Sequence, residues 1–153
     1  MFNRLQGVFA FLSNHDVRYV VIGGIAVVLH GVPRATFDLD ILIDATPANV
    51  ENLLQAFLDA GLGTATLTTP EEVLANEITV FKDRVRIDVQ TSTPGLSFTD
   101  AWSHRETMEY RGQCFQVVSK ADLIAAKRAA GRPVDLEDVR LLIASGEGPP
   151  RST

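Results

Sequence analysis

Apolar positions recur along this chain with two periods, and the alternation between them predicts the order of its elements. Phe2, Leu5, Val8, Phe9 and Leu12 fall at helical spacing between Arg4, Gln6 and Asn14, so Met1 to Asp16 reads as an amphipathic helix. Val17 to Ile22 is dense in β-branched residues and Tyr and stops at Gly23-Gly24, as a buried strand entering a turn does. Ile25 to His30 reads as a short helix, Gly31 to Arg34 as a loop, and Phe37 to Asp44 as a strand whose alternation puts Phe37, Leu39, Ile41 and Ile43 on one side. Thr46-Pro47, then Val50, Leu53, Leu54, Phe57 and Leu58, ending at Gly61, carry an N-cap, a first-turn proline and a terminal glycine, which predict a helix.

Glu77 to Phe81 and Arg84 to Thr91 predict two strands joined at Lys82-Asp83, the second with Val85, Ile87 and Val89 against Arg84, Arg86, Asp88 and Gln90. A short helix over 98–105 and one strand or a pair over Met108 to Val118 follow. Ser119 and Asp122 stand in capping-box spacing before a helix to Ala130, and Asp135 with Asp138 marks the start of a last helix through Leu142. The expected architecture is therefore mixed α/β (α+β), a central mixed sheet flanked by helices and closed by C-terminal helices. It reads as a single domain over 1–144. The stretch 145–153 is rich in Gly, Pro and Ser and reads as a disordered tail.

Composition narrows the partners. Of 153 residues 46% are apolar, enough for a core, and the formal net charge of -5 removes the overall basic excess of sequence-blind nucleic-acid binders, so an RNA contact would be a local patch. A single cysteine, Cys114, excludes a disulfide framework and a cysteine-pair metal site, and its apolar setting reads as inert. With no apolar run long enough for a membrane span and no visible targeting signal, a cytoplasmic protein with no membrane partner is expected.

The chemistry lies in the polar face of the Phe37–Asp44 strand. Residues two apart on a strand share a face, so Asp38 and Asp40 stand side by side opposite the apolar row. Two carboxylates about 5 Å apart at an effective dielectric near 20 repel by about 3 kcal/mol, which a cation would relieve. Asp88 lies on the polar face of its own strand; if the two strands are neighbours, three hard oxygen ligands converge, a set suited to Mg²⁺ or Mn²⁺ completed by phosphates and waters. An isolated D-x-D is common and often only lines a wet strand face. The preceding turn adds a second signal: Gly23 and Gly24 end a strand and open a helix, whose first N–H groups are offered to phosphate.

With 13 residues (25–37) between Gly24 and Asp38, the segment VIGGIAVVLHGVPRATFDLDILI resembles the glycine-turn and D-x-D signature of the DNA polymerase β-like nucleotidyltransferase superfamily, and RIDVQ resembles its separate third carboxylate. SKADLIAAKRAAGRPVDLEDVRLL is similar to the closing segment of small bacterial nucleotidyltransferase-like proteins, including the AbiEii type of toxin–antitoxin toxins. The resemblance implies a nucleotidyltransferase fold and transfer of a nucleoside monophosphate from an NTP to a hydroxyl on tRNA or other RNA, on a protein or on a small molecule. It implies Asp38, Asp40 and Asp88 as metal ligands, Gly23 and Gly24 against the phosphates, and Lys127 reaching them. Where many members carry Ser, this chain has Gly24, which leaves backbone N–H groups alone at that point. A cognate antitoxin partner, a binding module without turnover and an antibiotic-modifying transferase are the other readings the likeness allows.

Other residues admit two roles each. Arg34 and Thr36 precede the acidic strand, where a guanidinium could grip a triphosphate or simply pair with Asp38, Asp40 or Asp44. Asp44 is too far along the strand to join a metal site and suits a cap or loop. Lys127 belongs to a basic cluster with Arg128 and Arg132 that could equally be a solvated helix face. Asp135 and Asp138 suit helix capping or pairing with Arg132. His15, His30 and His104 lack the spacing of a zinc site.

Overall fold

The computed structural model describes residues 2–146. Its elements run α1 (Phe2–Asn14), β1 (Tyr19–Ile22), α2 (Gly23–Leu29), β2 (Leu39–Ile43), α3 (Pro47–Asp59), a 3-10 turn (Gly63–Leu67), α4 (Pro70–Ala75), β3 (Ile78–Lys82), β4 (Arg86–Gln90), α5 (Phe98–His104), β5 (Glu106–Tyr110), β6 (Gln113–Val117), α6 (Lys120–Ala130) and α7 (Pro133–Ala144). The six strands form one mixed sheet in the order β3-β4-β2-β1-β6-β5, with β2 parallel to β4, β1 parallel to β6, and the other neighbours antiparallel. This is the expected mixed α/β fold.

Strand parity sorts the sheet into a dry face and a working face. Paired residues point the same way, so Tyr19 and Val21 of β1 align with Ile43 and Ile41 of β2, and Leu39 and Ile41 with Ile87 and Val89 of β4. These side chains are buried, and α1 and α3 cover them: Phe9 stacks on Tyr19 and on Phe115 at 4.6 Å between centroids, and Phe57 of α3 meets Phe81 edge-on at 5.0 Å. On the opposite face the register aligns Ile22 with Asp40 and Asp40 with Asp88, with Val80 of β3 beside Asp88.

Several boundaries differ from expectation, each for a tertiary reason. β2 begins at Leu39, and Phe37 is 82% exposed instead of opening the apolar row. β1 ends at Ile22, opposite Asp40, and turns into α2 at Gly23, so the chain before Leu39 has no strand on that side to pair with. The β3–β4 turn spans 83–85, not Lys82-Asp83. Asp83 accepts the amide of Thr64, and Arg84 donates to the carbonyl of Ala60, which draws the turn onto the 3-10 segment. That segment and α4 were not anticipated, although Thr69 caps α4 through the amide of Glu72 and Pro70 opens it. Met108 to Val118 is a hairpin, and Cys114 is exposed on it, correcting its expected apolar setting. Arg132, not an aspartate, occupies the N-cap of α7. Pro133 follows at the first helical position, and Asp135 reaches back to accept the Arg132 amide at 3.2 Å. Of the tail, Ser145 and Gly146 are described, both bonded to Lys120; residues 147–153 lie outside the described residues. Among the described residues no helix is long and apolar enough to cross a membrane.

Candidate active site

The working face carries a cleft of about 520 Å³ between the sheet and the α6–α7 pair. Its floor is Asp40 and Asp88, brought into direct register by the parallel pairing of β2 and β4, with Asp38 at the rim just before β2. Convergence of the three acids requires these strands to be neighbours, and they are. Burial pushes the Asp40 carboxyl up to about 7, and the negative charges of Asp88 and Asp38 push it the same way, while Lys127 opposes them. The Asp40 and Asp88 carboxyls also lie within hydrogen-bonding reach of each other.

Gly23 is required here. Its φ of +69° favours glycine, and a Cβ would collide with the Asp40 carboxylate. The turn therefore packs directly on the acid, and the first N–H groups of α2, which have no acceptor inside the helix, open beside it. Gly24 is packed as closely on its other side, where a Cβ would stand 2.7 Å from the Thr36 hydroxyl and 3.1 Å from an Arg34 nitrogen. Arg34 and Thr36 thus cover the glycine turn. Gly23→Ala is expected to lower stability by about 1–3 kcal/mol, from the left-handed backbone and the displaced acid together; calorimetric unfolding within 0.5 kcal/mol of the parent would contradict this packing.

The cations over the cleft are held from behind. Lys127, its side chain only 11% exposed, points inward and bonds Asp135 at 3.2 Å and Asp138 at 3.1 Å, which corrects the solvated-face alternative. Arg34 bonds Asp138 at 3.1 Å, not Asp38, Asp40 or Asp44. Arg132 clasps Asp135 at 2.6 and 3.1 Å. Asp135 is 0% and Asp138 2% exposed. Burial alone would raise the Asp135 carboxyl, but hydrogen bonds from Arg132 and Lys127 hold it below the usual carboxylate range. Arg128 is exposed on α6. Asp44 pairs with Arg18 at 3.5 Å, away from the cleft.

Arg86 was missed at the sequence level. Two residues before Asp88 on the same strand face, its guanidinium bonds Asp88 at 3.0 Å and reaches Asp38 at 3.7 Å. The i, i+2 spacing was the available signal. Among the described residues no three acidic, imidazole or thiol groups stand as a ready-made metal cage; Arg86 engages two of the three carboxylates. The donor set nonetheless fits a hard divalent cation: all its ligands are carboxylate oxygens, and the upward push on Asp40 is the electrostatic deficit such an ion relieves.

The sequence profile of a family described as "Nucleotidyltransferase of unknown function (DUF6036)" matches residues 3–145. Among curated proteins, none matches the sequence significantly. Among solved structures, a nucleotidyltransferase-like protein of Thermotoga maritima shares the fold with a TM-score of 0.57 at 17% identity, over 94% of this chain and 92% of that one.

Proposed function

Because the chain belongs to this DUF6036 family of nucleotidyltransferases, we propose that it transfers a nucleoside monophosphate from an NTP to a hydroxyl acceptor and releases pyrophosphate, acting as one catalytic domain over 1–144. The observation that carries the reading is the register of Asp40 on Asp88 with the Gly23–Gly24 turn packed against the same acid.

Asp38, Asp40 and Asp88 would hold Mg²⁺ or Mn²⁺, which when bound supplies positive charge against the attacking and leaving oxygens. The amides of Gly23 and Gly24, with Arg34, Thr36 and Lys127, would take the β and γ phosphates, where charge accumulates as pyrophosphate leaves. The acceptor oxygen bonds to the α-phosphorus as its proton passes to Asp88, and the bond from that phosphorus to the bridging oxygen breaks. Asp135 and Asp138 keep the two cations aimed at the cleft, so their geometry is set before substrate arrives.

The test is incubation with each labelled NTP and Mg²⁺ in the presence of tRNA, total RNA, host protein or hydroxylated antibiotics. Label is expected on one of these acceptors, and its persistence in Asp38→Ala and Asp40→Ala would reject the site. The AbiEii likeness predicts in addition a small partner protein that copurifies and suppresses the transfer.

A further inference from the structure

The phosphate end of the cleft is built from Gly23, Gly24, Arg34 and Lys127, but the cleft continues past the acids in the other direction. There its lining changes character. Two residues beyond Asp88 on the same face, about 7 Å along the strand, stands Gln90, and beyond it Thr93 and Pro94. Gln90 is paired in register with Ile78 of β3. Ile78 and Val134 are 51% and 46% exposed, and they line the same cavity from the sheet and from the start of α7.

Exposed branched side chains on two walls of one cavity are surface that a flat apolar face would cover. The polar groups at this end are the Gln90 amide and the Thr93 hydroxyl, and neither side chain makes a hydrogen bond among the described residues. The wall bearing Thr93 is fixed in place: Gly95, at φ +74°, sits so close to α6 that a Cβ would stand 2.5 Å from that of Ala129 and 3.0 Å from the Ala125 carbonyl. A ligand with apolar faces and a hydrogen-bonding edge, tethered to a triphosphate by one sugar, matches this lining.

Resting on the nucleotidyl-transfer reading, we propose that this end of the cleft is the subsite for the donor's nucleobase, with Gln90 as the residue that reads its edge. Ile78 and Val134 cover the ring faces. An amide offers one donor and one acceptor side by side, the complement of the ring nitrogen and amino group of adenine. Held with its N–H towards the ring nitrogen and its oxygen towards the amino group, the glutamine takes adenine and so ATP, while the phosphate end holds any NTP alike.

Calorimetric titration with the four NTPs and with inorganic tripolyphosphate, all with Mg²⁺, separates the base subsite from the phosphate site. The parent protein is expected to bind ATP at least ten times more tightly than the other three. Gln90→Leu, which keeps shape and loses both hydrogen bonds, is expected to bring all four within about threefold while leaving tripolyphosphate affinity unchanged. Gln90→Glu keeps the acceptor and loses the amide donor, and it is expected to weaken ATP selectively. A parent protein indifferent to the base, or an ATP preference intact in both variants, overturns the subsite with nucleotidyl transfer untouched. Failure of every NTP and of tripolyphosphate to bind overturns both.

Discussion

Asp40→Asn is expected to reduce transfer about a thousandfold and, at the same time, to make the metal-free protein more stable at pH 8. The first effect follows from losing a charged ligand at the centre of the carboxylate set, where about 4 kcal/mol of transition-state stabilisation corresponds to that factor. The second follows from the proton balance. The Asp40 carboxyl is raised from 3.8 to about 7 in the folded chain, by burial first and by Asp88 and Asp38 after it. Between those values the folded state binds more protons than the unfolded one, so stability falls as pH rises from about 4 through about 7 and is flat above. The ceiling of that penalty is about 4 kcal/mol, and partial solvent access at the cleft reduces it to about 2, or about 4–8 °C in the midpoint for a chain this size. The asparagine carries no charge to desolvate and removes the slope. Differential scanning calorimetry in EDTA should therefore place the variant above the parent at pH 8 and nearly level with it near pH 4, where the carboxyl is protonated in the folded chain and partly so in the unfolded one. Equal midpoints at pH 8, or the same gain at both pH values, would show that Asp40 carries no such penalty. Added Mg²⁺ should raise the parent at pH 8 and leave the variant nearly unmoved, because the ion offsets the charge that the substitution deletes.

The same residue shows which parts of the site could be read from the sequence. Strand parity placed Asp38 and Asp40 together, and the glycine turn gave a reason for acids there, because period-two alternation and a Gly-Gly stop are local properties of the chain. The convergence with Asp88 needed one tertiary fact, the parallel pairing of β2 and β4, which no local pattern carries. Alternation also misled: Phe37 continues the apolar row in sequence, but a row is buried only as far as partner strands extend, and β1 has already turned away. Of the two roles open to Arg34, a grip on triphosphate or a pairing with Asp38, Asp40 or Asp44, the second does not occur: it bonds Asp138, 104 residues distant. Asp135 and Asp138 look like ordinary first-turn acids. Their burial comes from α7 closing on α6 and on the Arg34 loop, a contact invisible to helix-capping rules. Local periodicity thus named the groups at the floor of the cleft, while long-range packing decided which groups roof it.

Asp138→Ala should strongly destabilise the fold although it lies outside the apolar core. The aspartate is 2% exposed and accepts from Arg34 and Lys127 at 3.1 Å each, so its removal leaves Arg34 without its partner and Lys127 with Asp135 alone. Breaking a buried ion pair from one side costs about 3–5 kcal/mol. Because Lys127 keeps one carboxylate, the lower end applies, a fall of about 6–12 °C in the midpoint. Glu137→Ala on the same helix is the contrast: Glu137 pairs with Arg140, but both side chains are more than half exposed, and a screened surface pair contributes at most about 1 kcal/mol. Denaturant unfolding of the two variants should separate them by at least 2 kcal/mol. Comparable losses would mean that the Asp138 cluster is no better shielded from water than the Glu137 pair. Asp138→Asn, which retains acceptor geometry without the charge, should fall between them in stability. If the cluster serves to aim Arg34 and Lys127, that variant should still bind tripolyphosphate more weakly than Glu137→Ala does, since both cations lose the charge that fixes their direction.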